Sequence, residues 1–278
     1  MWGDLVATTE IPVGDALTTE KRVLITGGAG LVGSVIRERL GSRYNFTSLD
    51  RVQARDGRSV IADIGDLQQL AKAFAGHDAV IHLAADRRAD SPWESNLQHN
   101  FVGTYNVFEA ARMAGVRRVI FASSNHATGG YYTVEPWKHI AAGEFGKLKP
   151  GYPLVTEEMR IRPDGYYGVA KAYGEAMGSY YHDYHKVSSI HLRIGWVLSE
   201  DDPTFSPFAL SLWLSHRDLA QIVRLSLETS VPYAVVYATS DNTWKIFSLE
   251  NARRVLGYRP EDRAGEAWIP GPPPPRDR

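Results

Sequence analysis

The sequence predicts an α/β fold: a doubly wound parallel sheet with helices on both faces and a small C-terminal substrate-binding part. Three observations carry this. Short apolar runs alternate with helically spaced segments, the first run stops at a glycine cluster that opens a helix, and an acidic residue closes the second run. A length of 278 residues suits one large domain.

Arg22–Thr26 (RVLIT) is the first strand, ended by glycines, and Leu31–Leu40 follows with helical spacing. Asn45–Asp50 is the second strand, Ala79–Ala84 (AVIHLA) the third and Arg118–Ser123 (RVIFAS) the fourth, with a helical pattern over 94–114 between the last two. Asp164–Lys186 reads as a long helix, Ser188–Ile194 as a strand, 212–228 as a helix and Tyr233–Thr239 (YAVVYAT) as a late strand. Strand–helix–strand repetition of this kind builds right-handed parallel units. Residues 1–20 lack periodicity and are expected to form a flexible extension, leaving 21–263 as a single domain. Pro272 to Pro275 lack N–H donors and fix φ, so 264–278 is expected to be a Pro-rich mobile tail.

Lys and Arg number 31 against 32 Asp and Glu, a balance that argues against nucleic acid or an anionic membrane as the main partner. No apolar run approaches the ~18 residues of a membrane span. Cysteine is absent, which removes disulfides, zinc–cysteine sites and thiol nucleophiles. The first ten residues carry neither a basic nor an apolar stretch of the secretory kind, so the expected location is the cytoplasm.

Thr26-Gly27-Gly28-Ala29-Gly30-Leu31-Val32-Gly33 sits at the first strand-to-helix junction. Its glycines permit a tight turn and close approach of backbone to a pyrophosphate, and the helix start offers free N–H groups. Asp50 lies 17 residues past Gly33, where a carboxylate accepts both ribose hydroxyls of an adenosine and repels a 2′-phosphate. NAD is favoured over NADP, and the adjacent Arg51 guanidinium works against that preference. Asp63 follows a second strand end, either near the adenine or as a turn residue.

Tyr167 and Lys171 stand at i and i+4 on one helical face. A cation so placed stabilises phenolate and is expected to lower the tyrosine pKa, making Tyr167 a general base toward an alcohol. Ser123-Ser124-Asn125-His126 follows a parallel strand at the carboxyl edge, where a hydroxyl can hold the substrate oxygen.

Taken together, the glycine loop, Asp50, His82-Leu83-Ala84-Ala85, Asn100, Ser124, Tyr167 and Lys171 resemble, in order, the motifs of the Rossmann-type extended short-chain dehydrogenases/reductases, the NAD-dependent epimerase/dehydratase superfamily. The resemblance covers about residues 21–262. It implies that Gly27, Gly30, Leu31, Val32, Gly33, Asp50 and Arg51 bind NAD together with Asp63, Ile64, Leu83, Ala84 and Ala85. It further implies that Lys171 holds the nicotinamide ribose and that Asn100 supports a proton relay. Phe121–His126, Tyr166–Lys171, Leu192–Gly195, Leu212–Asp218, Ser240–Asn242 and Leu256–Pro260 are similar to hexuronate dehydrogenases and archaeal NAD-dependent glucose-6-phosphate dehydrogenases, the latter also at Asp86-Arg87-Arg88 and Pro92-Trp93. Those enzymes oxidise an anomeric hydroxyl to a lactone. Ser124, Asn125, His126, Tyr167, Gly195, Trp196 and Phe208, with Arg87 and Arg88, would then face the sugar. Relatives of this kind often pair through helices corresponding to 94–114 and 164–186, so a homo-oligomer is expected.

Three positions depart from the uronate pattern. Phe208 stands where those enzymes carry the arginine that grips the substrate carboxylate, and a phenyl group cannot pair with one. This argues against a uronate unless Arg87 or Arg88 supplies the charge. Trp196 replaces a small serine, and the 43 positions from Ser124 to Tyr167 are more than uronate dehydrogenases have. This insertion, 133–160, with Trp137 and His139 in it and Tyr131 and Tyr132 just before it, is expected to act as a lid. His82 reads as a core histidine, His182 and His185 as a solvated helix end, and Arg87-Arg88 as either a solvated pair or an anion clamp. No metal site is expected. The leading function is NAD-dependent oxidation of the C1 hydroxyl of a monosaccharide, sugar acid or sugar phosphate. The alternatives are a nucleotide-sugar epimerase or dehydratase, against which the short C-terminal half speaks, and a non-catalytic dinucleotide sensor.

Overall fold

A computed structural model describes residues 21–88 and 91–269; the expected N-terminal extension and the proline run lie outside them. Seven strands form one sheet: β1 (Arg22–Thr26), β2 (Asn45–Asp50), β3 (Arg58–Ile61), β4 (Ala79–His82), β5 (Arg118–Ser124), β6 (Ser188–Ile194) and β7 (Tyr233–Ala238). They lie in the order β3-β2-β1-β4-β5-β6-β7, every pair parallel. Thr26 pairs with His82, His82 with Phe121, Ser124 with Ile194 and Ile194 with Ala238, so these strand ends share one rim. The order reverses between β1 and β4, which opens a crevice at that rim.

The helices are α1 (Leu31–Leu40), α2 (Leu67–Phe74), α3 (Trp93–Ser95), α4 (Gly103–Met113), α5 (Trp137–Ala141), α6 (Tyr166–His185), α7 (Pro207–Leu212), α8 (His216–Glu228) and α9 (Glu250–Leu256). Alternation along β1 feeds two cores: Val23 and Ile25 pack with Ile36 of α1 and Ile222 of α8, and Leu24 packs with Leu70 of α2 and Phe108 of α4 on the other face.

Several elements differ from expectation for local reasons. Of strand β3 only the end before Asp63 was anticipated, because four residues with both ends exposed at the sheet edge carry little apolar pattern. Helix α2 is set by Asp66, whose carboxylate accepts from the N–H groups of Gln68 and Gln69. The segment 212–228 is not one helix: Ser206 caps α7, Ser215 caps α8, and the chain between them pairs Trp213 with Trp196. Within 94–114 the residues Asn96–Val102 form a π-helix between α3 and α4. Beyond Gly195 the chain holds α7, α8, β7 and α9, more structure than the single helix and strand expected. Packed chain also continues past 263, with Ala264 buried and Trp268 against Phe145 (5.6 Å).

The insertion is a packed part of the domain rather than a loose lid. Trp137, Ile140 and Val155 are buried in the larger core, and Val155 exchanges backbone hydrogen bonds with Ile246 and Ser248 (2.8 and 2.9 Å). Removing it would open that core.

Helix α6 lies close on the sheet because Gly174 and Gly178 lack side chains; a Cβ at either would overlap the ring of Phe121 or of His191. One turn beyond Lys171, Glu175 is buried and takes Arg193 of β6 in two hydrogen bonds (2.9 and 2.8 Å) and the Ser123 hydroxyl of β5 in a third (2.6 Å). Breaking a buried pair strands one charge. Arg193→Met is therefore expected to cost about 3–5 kcal/mol in urea unfolding. A loss below about 1 kcal/mol, the range of an exposed pair, would show that the pair is solvated.

Candidate active site

The glycine loop takes its shape from contacts that exclude side chains. Gly27 has φ +71°, and a Cβ there would overlap the Ala84 backbone; a Cβ at Gly33 would overlap Gly28. Leu83 and Ala84 both donate their N–H to the Thr26 carbonyl (3.0 and 3.1 Å), which lays Leu83, Ala84 and Ala85 beside the loop. Gly30 behaves differently. It is exposed, and a Cβ there would meet only the Gly27 carbonyl, at 3.4 Å. Helix α1 starts at this open face with no side-chain cap, so the N–H groups of Leu31, Val32 and Gly33 are left for an anion. Asp50, at the end of β2, is held by the N–H groups of Ala29 (3.1 Å) and Arg51 (2.7 Å), one on each carboxylate oxygen. Remaining lone pairs suit a ribose diol. An open helix terminus beside an oriented carboxylate fits the pyrophosphate and adenosine ribose of a dinucleotide. Asp63 takes the turn role: its Oδ1 accepts from Gly65 N–H (2.7 Å). The Ile64 side chain is buried against Gly103, and its carbonyl accepts from Asn106 (2.9 Å). Val32, Leu83, Ala122 and Ile194 line an apolar gap that also reaches α8 through Leu219 and Val223.

Ser124 ends β5; its hydroxyl accepts the His126 N–H (3.2 Å), donates to Asn125 Oδ1 (3.4 Å), and lies near enough to the Tyr167 phenol to favour its ionised form. The N-terminus of α6 can dock on this turn because a Cβ at Gly168 would overlap the His126 carbonyl. Tyr167, Ser124 and Lys171 are thus brought together. The expected pKa coupling is not what the site shows. Burial pushes the Tyr167 phenol up to about 12, against the opposing effects of the nearby Ser124 hydroxyl and the charge of Arg87. The Lys171 ammonium lies over the Tyr167 ring, 5.3 Å from its centroid, and over Phe121 at 5.0 Å, rather than against the phenol oxygen. Burial lowers Lys171 itself to about 7.

Asn100 lies in the π-helix and clamps the segment after β4. It donates to the Asp86 carbonyl (2.8 Å) and to Asn96 Oδ1 (2.7 Å), and accepts the Asp86 N–H (2.8 Å). Its side chain is thereby engaged with Asp86 rather than pointed at Tyr167. The Asp86 carboxylate accepts from Arg88, Ser91 and Ser95, and the Arg88 guanidinium holds its carboxyl well below the usual carboxylate range. Arg88 is therefore turned to Asp86, and Arg87 is the one of the two whose charge reaches Tyr167.

On the other side of the site the wall is aromatic. Asn125 is buried and donates to the Tyr132 hydroxyl (2.7 Å). The Tyr132 ring meets Phe208 edge-on (4.9 Å), Phe208 meets Trp196 (5.3 Å), and Trp196 stacks on Phe205 (6.4 Å). Gly195 packs too tightly for a side chain, since a Cβ would overlap the Leu212 carbonyl. His82 is a satisfied core histidine, between Thr26 (2.8 Å) and Thr104 (3.4 Å), and burial lowers it to about 3. His182 stacks on Tyr233, and His185 lies tilted against Tyr181. No group of residues able to hold a metal occurs among the described residues.

Sequence reasoning missed Asp164, which pairs with His126, and Glu175, which anchors α6. Asp164 stands three residues before Tyr167 and Glu175 four after Lys171, a spacing that was the available signal.

The model of the NAD dependent epimerase/dehydratase family matches residues 23–217. The chain is 37% identical over 264 residues to an NAD-dependent glucose-6-phosphate dehydrogenase of Haloferax volcanii, covering 91% of this chain and 98% of that one. It is also 37% identical over 253 residues to an L-arabinose 1-dehydrogenase (NAD(P)(+)) of the same organism, covering 87% of this chain and 97% of that one. Among solved structures, uronate dehydrogenase from Agrobacterium tumefaciens superposes with a TM-score of 0.74 at 30% identity, covering 88% of this chain and 85% of that one; a mutant of it has been solved in complex with NAD. With the crevice, the glycine loop and the tyrosine–lysine helix in place, this chain belongs to the NAD dependent epimerase/dehydratase family.

Proposed function

We propose that the chain is an NAD-dependent oxidoreductase that oxidises the anomeric hydroxyl of a monosaccharide, sugar acid or sugar phosphate to a lactone. The observation that carries this reading is the convergence of Ser124 and Tyr167 at the carboxyl rim, beside the open glycine loop. Likeness to three sugar dehydrogenases over nearly the whole chain supports it. When bound, NAD supplies the hydride acceptor. The Ser124 hydroxyl positions the C1 oxygen, and the Tyr167 oxygen exchanges the proton that the hydroxyl loses. Lys171, buried beside the phenol, fits the role of holding the nicotinamide ribose. The reading places the enzyme in the cytoplasm; no helix among the described residues is long and apolar enough to cross a membrane.

Oxidation needs Tyr167 as phenolate, and a phenol raised to about 12 is protonated at neutral pH. Below that value the phenolate fraction grows about tenfold per pH unit. Sugar oxidation should therefore accelerate steadily from pH 7 toward pH 10 in NADH-formation assays over a panel of aldoses, hexuronates and sugar phosphates. Tyr167→Phe should lower kcat about 100-fold or more and abolish that rise. A flat profile, or full activity of the variant, would reject Tyr167 as the base.

The aromatic wall of Tyr132, Phe208 and Trp196 offers no cation to a carboxylate on that side of the sugar. Phe208→Arg should raise kcat/KM for hexuronates relative to aldoses by about tenfold, the worth of a charge-assisted hydrogen bond. An unchanged ratio would place the carboxylate elsewhere.

Helices α3, α4 and α6 also carry exposed apolar residues, among them Trp93 (43%), Tyr105 (43%), Tyr166 (54%) and Tyr184 (74%). A second copy of the chain covering this face would remove that surface from water. Sedimentation should then give twice the 30.9 kDa chain mass, and a monomer would refute the pairing.

A further inference from the structure

Asp164 and His126 form a pair that the tyrosine–lysine–serine chemistry does not use. His126 Nδ1 lies 3.0 and 2.8 Å from the two carboxylate oxygens of Asp164. The two residues are 38 apart in sequence, and the backbone is built to bring them together. Gly130 donates its N–H to the Arg162 carbonyl (2.7 Å), and Arg162 donates to the Ala127 carbonyl (3.2 Å), which stitches the chain before α6 to the turn after β5. Gly129 leaves room for the carboxylate, since a Cβ there would overlap Asp164 Oδ2. The imidazole is also fixed from the other side, its ring edge-on to Tyr167 at 5.6 Å. Both side chains stay partly exposed, His126 at 26% and Asp164 at 29%, as expected of groups that border a cleft.

An ionised carboxylate only accepts hydrogen bonds, so His126 Nδ1 must carry the proton. The neutral imidazole then has its lone pair on Nε2. We propose that Asp164 is a positioning residue that locks His126 in the Nδ1–H tautomer, so that Nε2 accepts a hydrogen bond from a sugar hydroxyl next to the reacting carbon. The proposal rests on the dehydrogenase reading and deepens it: the substrate carries a free hydroxyl beside C1, oriented by an acceptor that Asp164 sets. A 2-deoxy sugar is the corresponding poor substrate.

Two measurements decide it. First, the nitrogen chemical shifts of His126 in the wild-type protein should report Nδ1–H at neutral pH, and Asp164→Asn should give a mixture of tautomers. This readout needs no turnover, so it holds even if the wild type oxidises no sugar and the dehydrogenase reading fails. An Nε2–H tautomer in the wild type would overturn the proposal. Second, Asp164→Asn should raise the sugar KM about tenfold or more, the loss expected for a charge-assisted hydrogen bond, with kcat falling less and the KM for NAD unchanged. His126→Gln should do the same, and the double variant should be no worse than His126→Gln alone, because Asp164 acts through His126. Additive losses, or an unchanged sugar KM in Asp164→Asn, would overturn it. If Asp164→Asn fails to fold, Gly129→Ala displaces the carboxylate while keeping its charge and should give the same rise in sugar KM with the KM for NAD unchanged.

Discussion

Helix α6 is held against the sheet by a buried charge. Glu175 joins three elements at once: its own helix, β5 through Ser123, and β6 through Arg193. The Arg193 guanidinium also reaches the Tyr237 hydroxyl of β7 (3.1 Å), which in turn meets Thr128 (2.9 Å) in the turn after β5. Such a network is costly to desolvate and adds little net stability compared with apolar packing. What it sets is position. Tyr167 and Lys171 stand two turns and one turn before Glu175 on the same face, so the clamp fixes where the phenol meets Ser124.

The rest of the site follows from that placement by exclusion of side chains. Gly168, Gly174 and Gly178 let α6 approach the sheet and the Ser124 turn, and Gly129 lets Asp164 reach His126. Each contributes by lacking a Cβ where backbone or a ring already fills the space. A helix this rich in glycine is poor in intrinsic propensity, and tertiary contact supplies what propensity does not.

Much of this was legible in the sequence because it rests on local pattern. The glycine loop, Asp50 and the Tyr167–Lys171 spacing are short-range signals, and β1, α1, β2 and β6 matched their apolar runs to the residue. Non-local features were hidden. The Asp164–His126 pair spans 38 residues and depends on a turn geometry no periodicity encodes. The insertion looked like a lid because it is longer than the uronate pattern and carries aromatic residues near the site, yet Trp137, Ile140 and Val155 are core. The phenol's pKa was misjudged because i,i+4 spacing fixes that two side chains share a face, whereas the sign of the shift depends on burial and on which atom the ammonium approaches.

The π-helical stretch Asn96–Val102 has a geometric consequence of its own. One extra residue per turn advances the helical phase by about 100°. The residues before and after it therefore present different sides of what is otherwise one rod. Val107, Phe108 and Ala111 look into the core beneath the sheet, while Asn96 and Asn100 turn toward the segment after β4 that bears Asp86. A regular α-helix through the same residues could satisfy one of these orientations and would forfeit the other. The irregular turn thus lets a single continuous segment serve both as a structural beam and as the brace of the loop that carries Arg87 to the rim.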